Sequence, residues 1–381
     1  MRHGNIPHSE RPNDSFRATL CQRPEFTAEI RDLNRRFLIL GSGKMARNIG
    51  LFFIRKGNSV NWVSRDANSL ANINRWYRKT IQRLAKLDQD FVIPAQARFY
   101  LSTYPKIPPA DVIIESTSEE LIKKQALLKA LESMFSEETL VVSNSSSILP
   151  RDIHPYCAGL HFFYPLELSC LAEVIIPDSY PDQMVSKLLA LLSESNLRYI
   201  RETEDTAFVV SRLLLPVQTE CFRALMAGHE PHHVNRSTIS GLLPVGQLTL
   251  MDSIGLDILC PSVENFLDRI KTSEAKQYAP LREGLIEVLS MGKKGTKNKN
   301  GLLVGAQLPW SLKPISTSDL NRLPKKFLYL FINTCYYALE RNEIDESGLD
   351  MALEGLFSPD VPLSQMVETK GRETICKELY D

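Results

Sequence analysis

From Arg36 onward, short apolar runs alternate with segments in which apolar residues recur every three or four positions. The first run is Phe37-Leu38-Ile39-Leu40. Gly41-Ser42-Gly43 follows, then helical spacing over 45–56, then Gly57 and a second run over 60–63. Short continuous apolar runs suit strands buried on both faces, and the 3.6-residue period suits an amphipathic helix, so the pattern predicts strand, turn, helix, strand. Further strands are predicted over 98–101, 111–115, 139–143, 159–163 and 173–176, with helical stretches such as 119–135 between them. Strands separated by helices favour a mostly parallel α/β sheet of the Rossmann-type, doubly wound kind.

Beyond about Glu204 the strand signal stops. Long amphipathic segments over 208–226, 248–268 and 281–290 predict an all-helical domain, interrupted by a basic, glycine-bearing loop over 291–301. Pro309 and Pro314 mark a boundary. The last segment, 325–350, is similar to 211–234: residues 212–228 and 326–342 each form an apolar-rich helix pattern, followed by a polar turn and a short helix. Either this is a second, degenerate helical repeat, or two ordinary amphipathic helices share a period. The expected division is an N-terminal extension over 1–35, a first domain over 36–203, a helical substrate and dimerisation domain over 204–310, and a second helical unit over 311–381.

Composition narrows the partners. Lys plus Arg and Asp plus Glu are 45 each, so no global field draws the chain to nucleic acid. No apolar run approaches the roughly 20 residues that span a bilayer, which points away from membranes. The first 36 residues lack a secretory apolar core, and Glu10, Asp14, Glu25, Glu29 and Asp32 argue against a transit peptide, leaving a loosely ordered extension. The seven cysteines are scattered without C-x-x-C spacing, which argues against a zinc cluster or disulfide framework. A cytoplasmic setting is the resulting expectation.

Candidate chemistry begins at Gly41-x-Gly43-x-x-Ala46, placed between strand and helix. A tight turn, close backbone approach and a helix N-terminus facing an anion suit a dinucleotide pyrophosphate. The second strand ends in Ser64-Arg65-Asp66, where an acid would bind a free ribose 2′-hydroxyl. A hydroxyl followed by a guanidinium suits a 2′-phosphate, which predicts NADP in preference to NAD; the alternative is that Arg65 sits on a solvated turn. In Gly159-Leu-His161-Phe-Phe-Tyr164-Pro165, His161 is followed twelve residues on by Glu173. After one strand and return, that acid could hold one imidazole nitrogen while the other faces substrate; the alternative is a satisfied core histidine.

Asn144-Ser-Ser146-Ser, the His161 segment, Glu173, Ser211-Arg-Leu-Leu after Asp205-Thr206, and Pro244-x-Gly246 leading to Asp252-x-x-Gly255-Leu-Asp257 occur in one order. Together they resemble the 3-hydroxyacyl-CoA dehydrogenase family over about Phe37 to Val304. The resemblance implies a Rossmann domain, a helical domain, and interconversion of a 3-hydroxyacyl and a 3-oxoacyl thioester by hydride transfer. It implies His161 as acid/base, Glu173 as the residue that orients it, and Ser146 and Ser211 beside the reacting oxygen. With the glycine turn and the Ser64-Arg65 reading, the expected cofactor positions are Gly41, Gly43, Lys44, Met45, Ala46, Ser64, Arg65, Ser116, Glu119, Lys124, Asn144 and Tyr164; the alternative for Glu119 and Lys124 is a solvated helix start.

Three positions depart from the family: Ser64 replaces the ribose acid, Tyr164 replaces Asn after His-Phe-Phe, and Ser211 replaces the Asn before Arg-Leu-Leu. The partner expected is an acyl-CoA or acyl-carrier-protein substrate. The basic loop either meets a carrier phosphate or is a solvated charge run. The assembly is a homodimer, or a monomer whose two helical units form an internal pseudo-dimer. Two competing functions remain: a catalytically silent descendant that binds nucleotide or thioester, and a dehydrogenase of a free hydroxy acid or sugar acid.

Overall fold

A computed structural model describes residues 34–64, 66–87, 91–103, 107–136, 138–239, 243–305 and 307–357. The expected N-terminal extension, up to residue 33, lies outside the described residues. The described strands are β1 (Arg36–Leu40), β2 (Ser59–Ser64), β3 (Arg98–Thr103), β4 (Val112–Glu115), β5 (Leu140–Ser143), β6 (Ala158–Phe162), β7 (Leu171–Ile175) and β8 (Arg198–Glu202). They form one sheet in the order β3-β2-β1-β4-β5-β6-β7-β8. β1 to β6 run parallel; β7 turns back against β6, and β8 runs with β7.

The expected Rossmann-type sheet is thus present, and β1, β4 and β5 are buried along almost their whole length, as continuous apolar runs require. Helix α1 (Lys44–Arg55) follows the glycine turn and buries Ala46, Ile49, Phe52 and Phe53 against β1 and β2. Trp62 of β2 is fully buried there, its indole N–H donating to the Ala46 carbonyl at 3.0 Å.

The apolar pattern did not reveal α2 (Ala67–Leu87), which buries only Leu70, Ile73 and Thr80. α3 (Leu121–Leu131) continues into a 3-10 turn, within the predicted 119–135. α4 (Asp182–Glu194) and β8, whose sequence Arg-Tyr-Ile-Arg-Glu carries three charges, were also missed.

The helical half contains α5 (Val209–Leu213), α6 (Leu215–Ala227), α7 (Pro231–Ser237), α8 (Gln247–Ile254), α9 (Leu256–Leu267), α10 (Ala279–Ser290), α11 (Thr317–Glu340) and α12 (Glu346–Leu356). Two predicted single helices are broken. Pro216 has no N–H and sits in the first turn of a new helix, so 208–226 divides into α5 and α6. Gly255, at φ +105°, separates α8 from α9.

The two segments paired by sequence share one local device. α6 stops at Gly228, in the left-handed region, and Glu230 caps α7 by accepting from His232 and His233 N–H. α11 is followed by Asn342, also left-handed, and Asp345 caps α12 by accepting from Gly348 N–H. Cys221 and Cys335, aligned in the two segments, are both fully buried.

One core joins Ile175 and Ile200 of the sheet with Phe222 of α6, Phe327 and Phe331 of α11 and Leu349 of α12. Each fully buried side chain of this kind contributes about 1.5–3 kcal/mol. Lys326 pairs with the buried Glu220 at 2.5 Å and Arg212 with Glu343 at 3.1 Å, so the last helices are docked by charge as well as by apolar contact.

The basic loop corrects an expectation for one residue. Lys293 is buried, donating to Asn300 Oδ1 at 3.2 Å and the Gly301 carbonyl at 2.9 Å, and is not available to a phosphate. Lys294, Lys297 and Lys299 are exposed. No described helix is long and apolar enough to cross a membrane, and no cluster of metal-ligating side chains occurs among the described residues.

Candidate active site

β1 and β4 are neighbours in the sheet although β2 and β3 lie between them in sequence, so the crevice beyond their C-terminal ends is the topological switch point. Gly41, directly after β1, has φ +131°, and a Cβ there would lie 2.3 Å from the Ser116 carbonyl oxygen after β4. Only glycine fits. Gly43 is the N-cap of α1, with no side-chain capping bond, no acid in the first turn, and open space where its Cβ would be. The first-turn N–H groups of a helix have no intrahelical partner and here no side chain caps them, so the cradle fits a dinucleotide pyrophosphate.

Tyr164 is 52 % exposed and lies beside the turn, with the Lys44 ammonium 3.7 Å from its ring centroid. Burial pushes the Lys44 amine below its usual value. Asn48 of α1 accepts from Leu166 N–H at 2.8 Å and donates to Glu167 at 2.9 Å, which fastens the Tyr164 loop to the nucleotide-facing helix. Met45 is half-buried and packs on the first-domain core.

Ser64 ends β2. The next described carboxylate, Asp66, accepts from Ser69 N–H and Oγ at 2.8 Å each, so it is occupied in starting α2. Arg65 lies outside the described residues.

Beyond β4 and β5 the polar residues interlock. Asn144 accepts from Phe162 N–H at 3.0 Å and donates to Ser116 Oγ at 3.4 Å. Glu119 accepts from Ser145 Oγ at 2.7 Å, Ser146 N–H at 2.8 Å and Ser146 Oγ at 3.2 Å, shaping the serine loop. Asn265 of α9 reaches across from the helical half to Ser147 Oγ at 3.0 Å.

Lys124 departs from its expected place. It is 1 % exposed, and its ammonium lies 2.8 and 3.0 Å from the two oxygens of the fully buried Glu115. Burial pushes the Glu115 carboxyl up, but Lys124 and the hydroxyls of Ser143 and Thr117 outweigh it and hold the group below the usual carboxylate range. Lys124 thus neutralises a buried charge beneath the site and presents no free cation to a cofactor.

The antiparallel pairing of β6 and β7 sets His161 directly opposite Glu173. His161 Nδ1 lies 2.5 Å from Glu173 Oε2, the imidazole is 11 % exposed and the carboxylate fully buried. Phe163 and Phe208 present edges to the ring at 4.8 and 6.1 Å. With Nδ1 held by a buried acid, Nε2 is the nitrogen left to exchange a proton. Glu173 Oε1 accepts from Val210 N–H at 2.8 Å, which fixes the first turn of α5 and so places Ser211 on that turn.

Glu202 was missed by sequence reasoning. It ends β8, is 3 % exposed, and accepts from Phe208 N–H at 2.5 Å and Val209 N–H at 3.2 Å, the two amides before the one that Glu173 takes. The available signal was an acid closing a strand five residues before the buried Ala207-Phe208 turn into α5.

Residues 37–205 match the family model described as 3-hydroxyacyl-CoA dehydrogenase, NAD binding domain, and residues 208–302 match 3-hydroxyacyl-CoA dehydrogenase, C-terminal domain. The chain is similar to the fatty acid oxidation complex subunit alpha of Idiomarina loihiensis, 26 % identical over 306 residues, covering 72 % of this chain and 41 % of that protein. The chain therefore spans about two fifths of that curated relative. Among solved structures, 3-hydroxybutyryl-CoA dehydrogenase from Escherichia coli K12 shares the fold, with TM-score 0.70 and 18 % identity over 91 % of this chain and 93 % of the other. The (S)-3-hydroxybutyryl-CoA dehydrogenase of Ralstonia eutropha does so with TM-score 0.61 and 24 % identity, over 72 % and 99 %.

Proposed function

Because the chain belongs to the 3-hydroxyacyl-CoA dehydrogenase family, we propose that it interconverts a 3-hydroxyacyl and a 3-oxoacyl thioester, with His161 as the acid/base. The observation that carries this reading is the 2.5 Å contact between His161 Nδ1 and the buried Glu173.

In the oxidative direction His161 Nε2 takes the proton of the 3-hydroxyl as the C3–H bond breaks. A nicotinamide dinucleotide, its pyrophosphate held by the Gly41–Gly43 turn, would supply the acceptor for that hydride. Glu173 keeps Nδ1–H in place and balances the imidazolium that forms; in the reverse direction His161 returns the proton to the new alkoxide. Ser146 and Ser211 lie on the two segments that flank the reacting oxygen, with the Ser146 hydroxyl anchored by Glu119. The aromatic edges of Phe163 and Phe208 limit water around the imidazole.

The cofactor reading favours NADP: β2 ends in Ser64, and the adjacent Asp66 is engaged by Ser69. Residues 36–203 act as the nucleotide domain and 204–310 as the substrate domain. The unit from 311 onward, docked on α6 through Lys326 and Glu220, provides the helical partner that makes a monomer sufficient.

The test is titration with NADPH and NADH, followed by nicotinamide absorbance with acetoacetyl thioesters of coenzyme A and pantetheine. Turnover that falls about 10²- to 10⁴-fold in His161→Ala, with cofactor binding intact, supports the reading. A wild-type protein that binds cofactor but is inert toward every thioester overturns it. Arg65→Ala should shift the preference toward NADH; an unchanged preference removes the NADP assignment.

A further inference from the structure

We propose that Glu202 is a positioning residue of this site, its protonated carboxyl donating a hydrogen bond to Glu173 so that a single negative charge stands beneath His161. The inference rests on the reading of His161 as the acid/base.

Glu173 and Glu202 sit on adjacent parallel strands and are 0 % and 3 % exposed. Glu202 accepts from Phe208 and Val209 N–H and Glu173 from Val210 N–H, so successive amides of one turn bring the two buried carboxyl groups side by side. Two carboxylates offer only acceptors and repel, so such a contact between buried acids needs a proton. Glu173 already receives His161 Nδ1–H on one oxygen and Val210 N–H on the other. It is also the carboxyl that faces the imidazolium formed during turnover, which favours charge on Glu173 and the proton on Glu202. Burial first, and then the charge of Glu173, push the Glu202 carboxyl well above the usual range, against the opposing pull of Phe208 and Val209 N–H. Among the described residues, Arg269, whose guanidinium packs over Phe208, is within electrostatic reach of Glu202.

The consequence for His161 is electrostatic. A single charge beneath the ring orients Nδ1–H toward Glu173 and leaves Nε2 to face the substrate. The consequence for the neighbouring turn is geometric. Phe208 is a non-glycine residue at φ +63°, and its N–H is anchored by Glu202. The same anchor therefore steadies the turn that delivers Val210 N–H to Glu173 and carries Ser211.

Three measurements on the full chain test this. Infrared spectra at neutral pH should show the carbonyl band of a protonated, hydrogen-bonded carboxylic acid that disappears in Glu202→Gln. The far-downfield proton resonance of His161 Nδ1–H should move in Glu202→Val and lie near its wild-type position in Glu202→Gln, whose amide both accepts and donates. Under turnover, Glu202→Val should lower kcat about tenfold with KM changed less than twofold, and Glu202→Gln should recover most of the loss.

Absence of the infrared band, or a Glu202→Gln variant as damaged as Glu202→Val, overturns the proposal. The infrared and resonance readouts need no substrate. If both appear as expected while no thioester is turned over, the dehydrogenase reading fails and the proton on Glu202 stands.

Discussion

Replacing Lys124 with methionine separates a structural from a cofactor role for this residue. The substitution keeps most of the side-chain volume and removes the ammonium 2.8 and 3.0 Å from the oxygens of Glu115. Both partners are buried, 1 % and 0 % exposed, so water does not replace the lost charge. Breaking one side of such a pair costs about 3–5 kcal/mol, against a total stability of about 5–15 kcal/mol for an ordinary domain. That corresponds to a drop of roughly 6–20 °C in melting temperature.

The pair also predicts a pH dependence. Glu115 is held below its unfolded value, so its stabilising contribution is present above that value and lost as pH falls through the lower folded midpoint. In Lys124→Met the stranded carboxyl takes up a proton, and the cost measured at neutral pH shrinks toward acid. The assay is urea unfolding of wild type, Lys124→Met, Glu115→Gln and the double variant across pH. A coupling energy of about 1–3 kcal/mol is expected between the two sites. Additive losses, or a single-variant cost under about 1 kcal/mol with a large loss of cofactor affinity, would refute the assignment of Lys124 to the buried pair.

Two other substitutions probe the nucleotide crevice. Gly41→Ala brings a Cβ to 2.3 Å from the Ser116 carbonyl at a φ that side chains rarely adopt. Dinucleotide binding, followed by quenching of protein fluorescence, should fall at least tenfold; an unchanged affinity would mean that the turn relaxes without consequence. Lys44→Met removes the cation over Tyr164 at the start of α1. It should weaken NADPH binding several-fold and flatten its salt dependence, and a salt response equal to wild type would detach Lys44 from the phosphates.

The local chemistry of the nucleotide turn was legible because it is short-range. A strand, two glycines and a helix are contiguous, and Gly41 needs its left-handed φ whatever packs around it. The twelve-residue interval from His161 to Glu173 was also readable, because an antiparallel return places such residues opposite one another. The stop-and-cap device shared by Gly228 with Glu230 and Asn342 with Asp345 left its trace as a weak repeat.

What sequence alone could not decide is where charge is buried. Lys124 reads as a helix-start lysine, and only the approach of β4 and α3 turns it onto Glu115. Lys293 reads as part of a solvated run until its own turn folds back, with Asn300 and the Gly301 carbonyl taking its ammonium beside Asp252 of α8. Glu202 reads as one more acid in a charged strand until β8 lies beside β7 and sets its carboxyl against Glu173. Helix α2 escaped notice because it packs with few buried residues. In each case the deciding quantity is desolvation by residues far away in sequence. Apolar periodicity records which face of an element is buried; which polar groups are enclosed with it depends on tertiary packing.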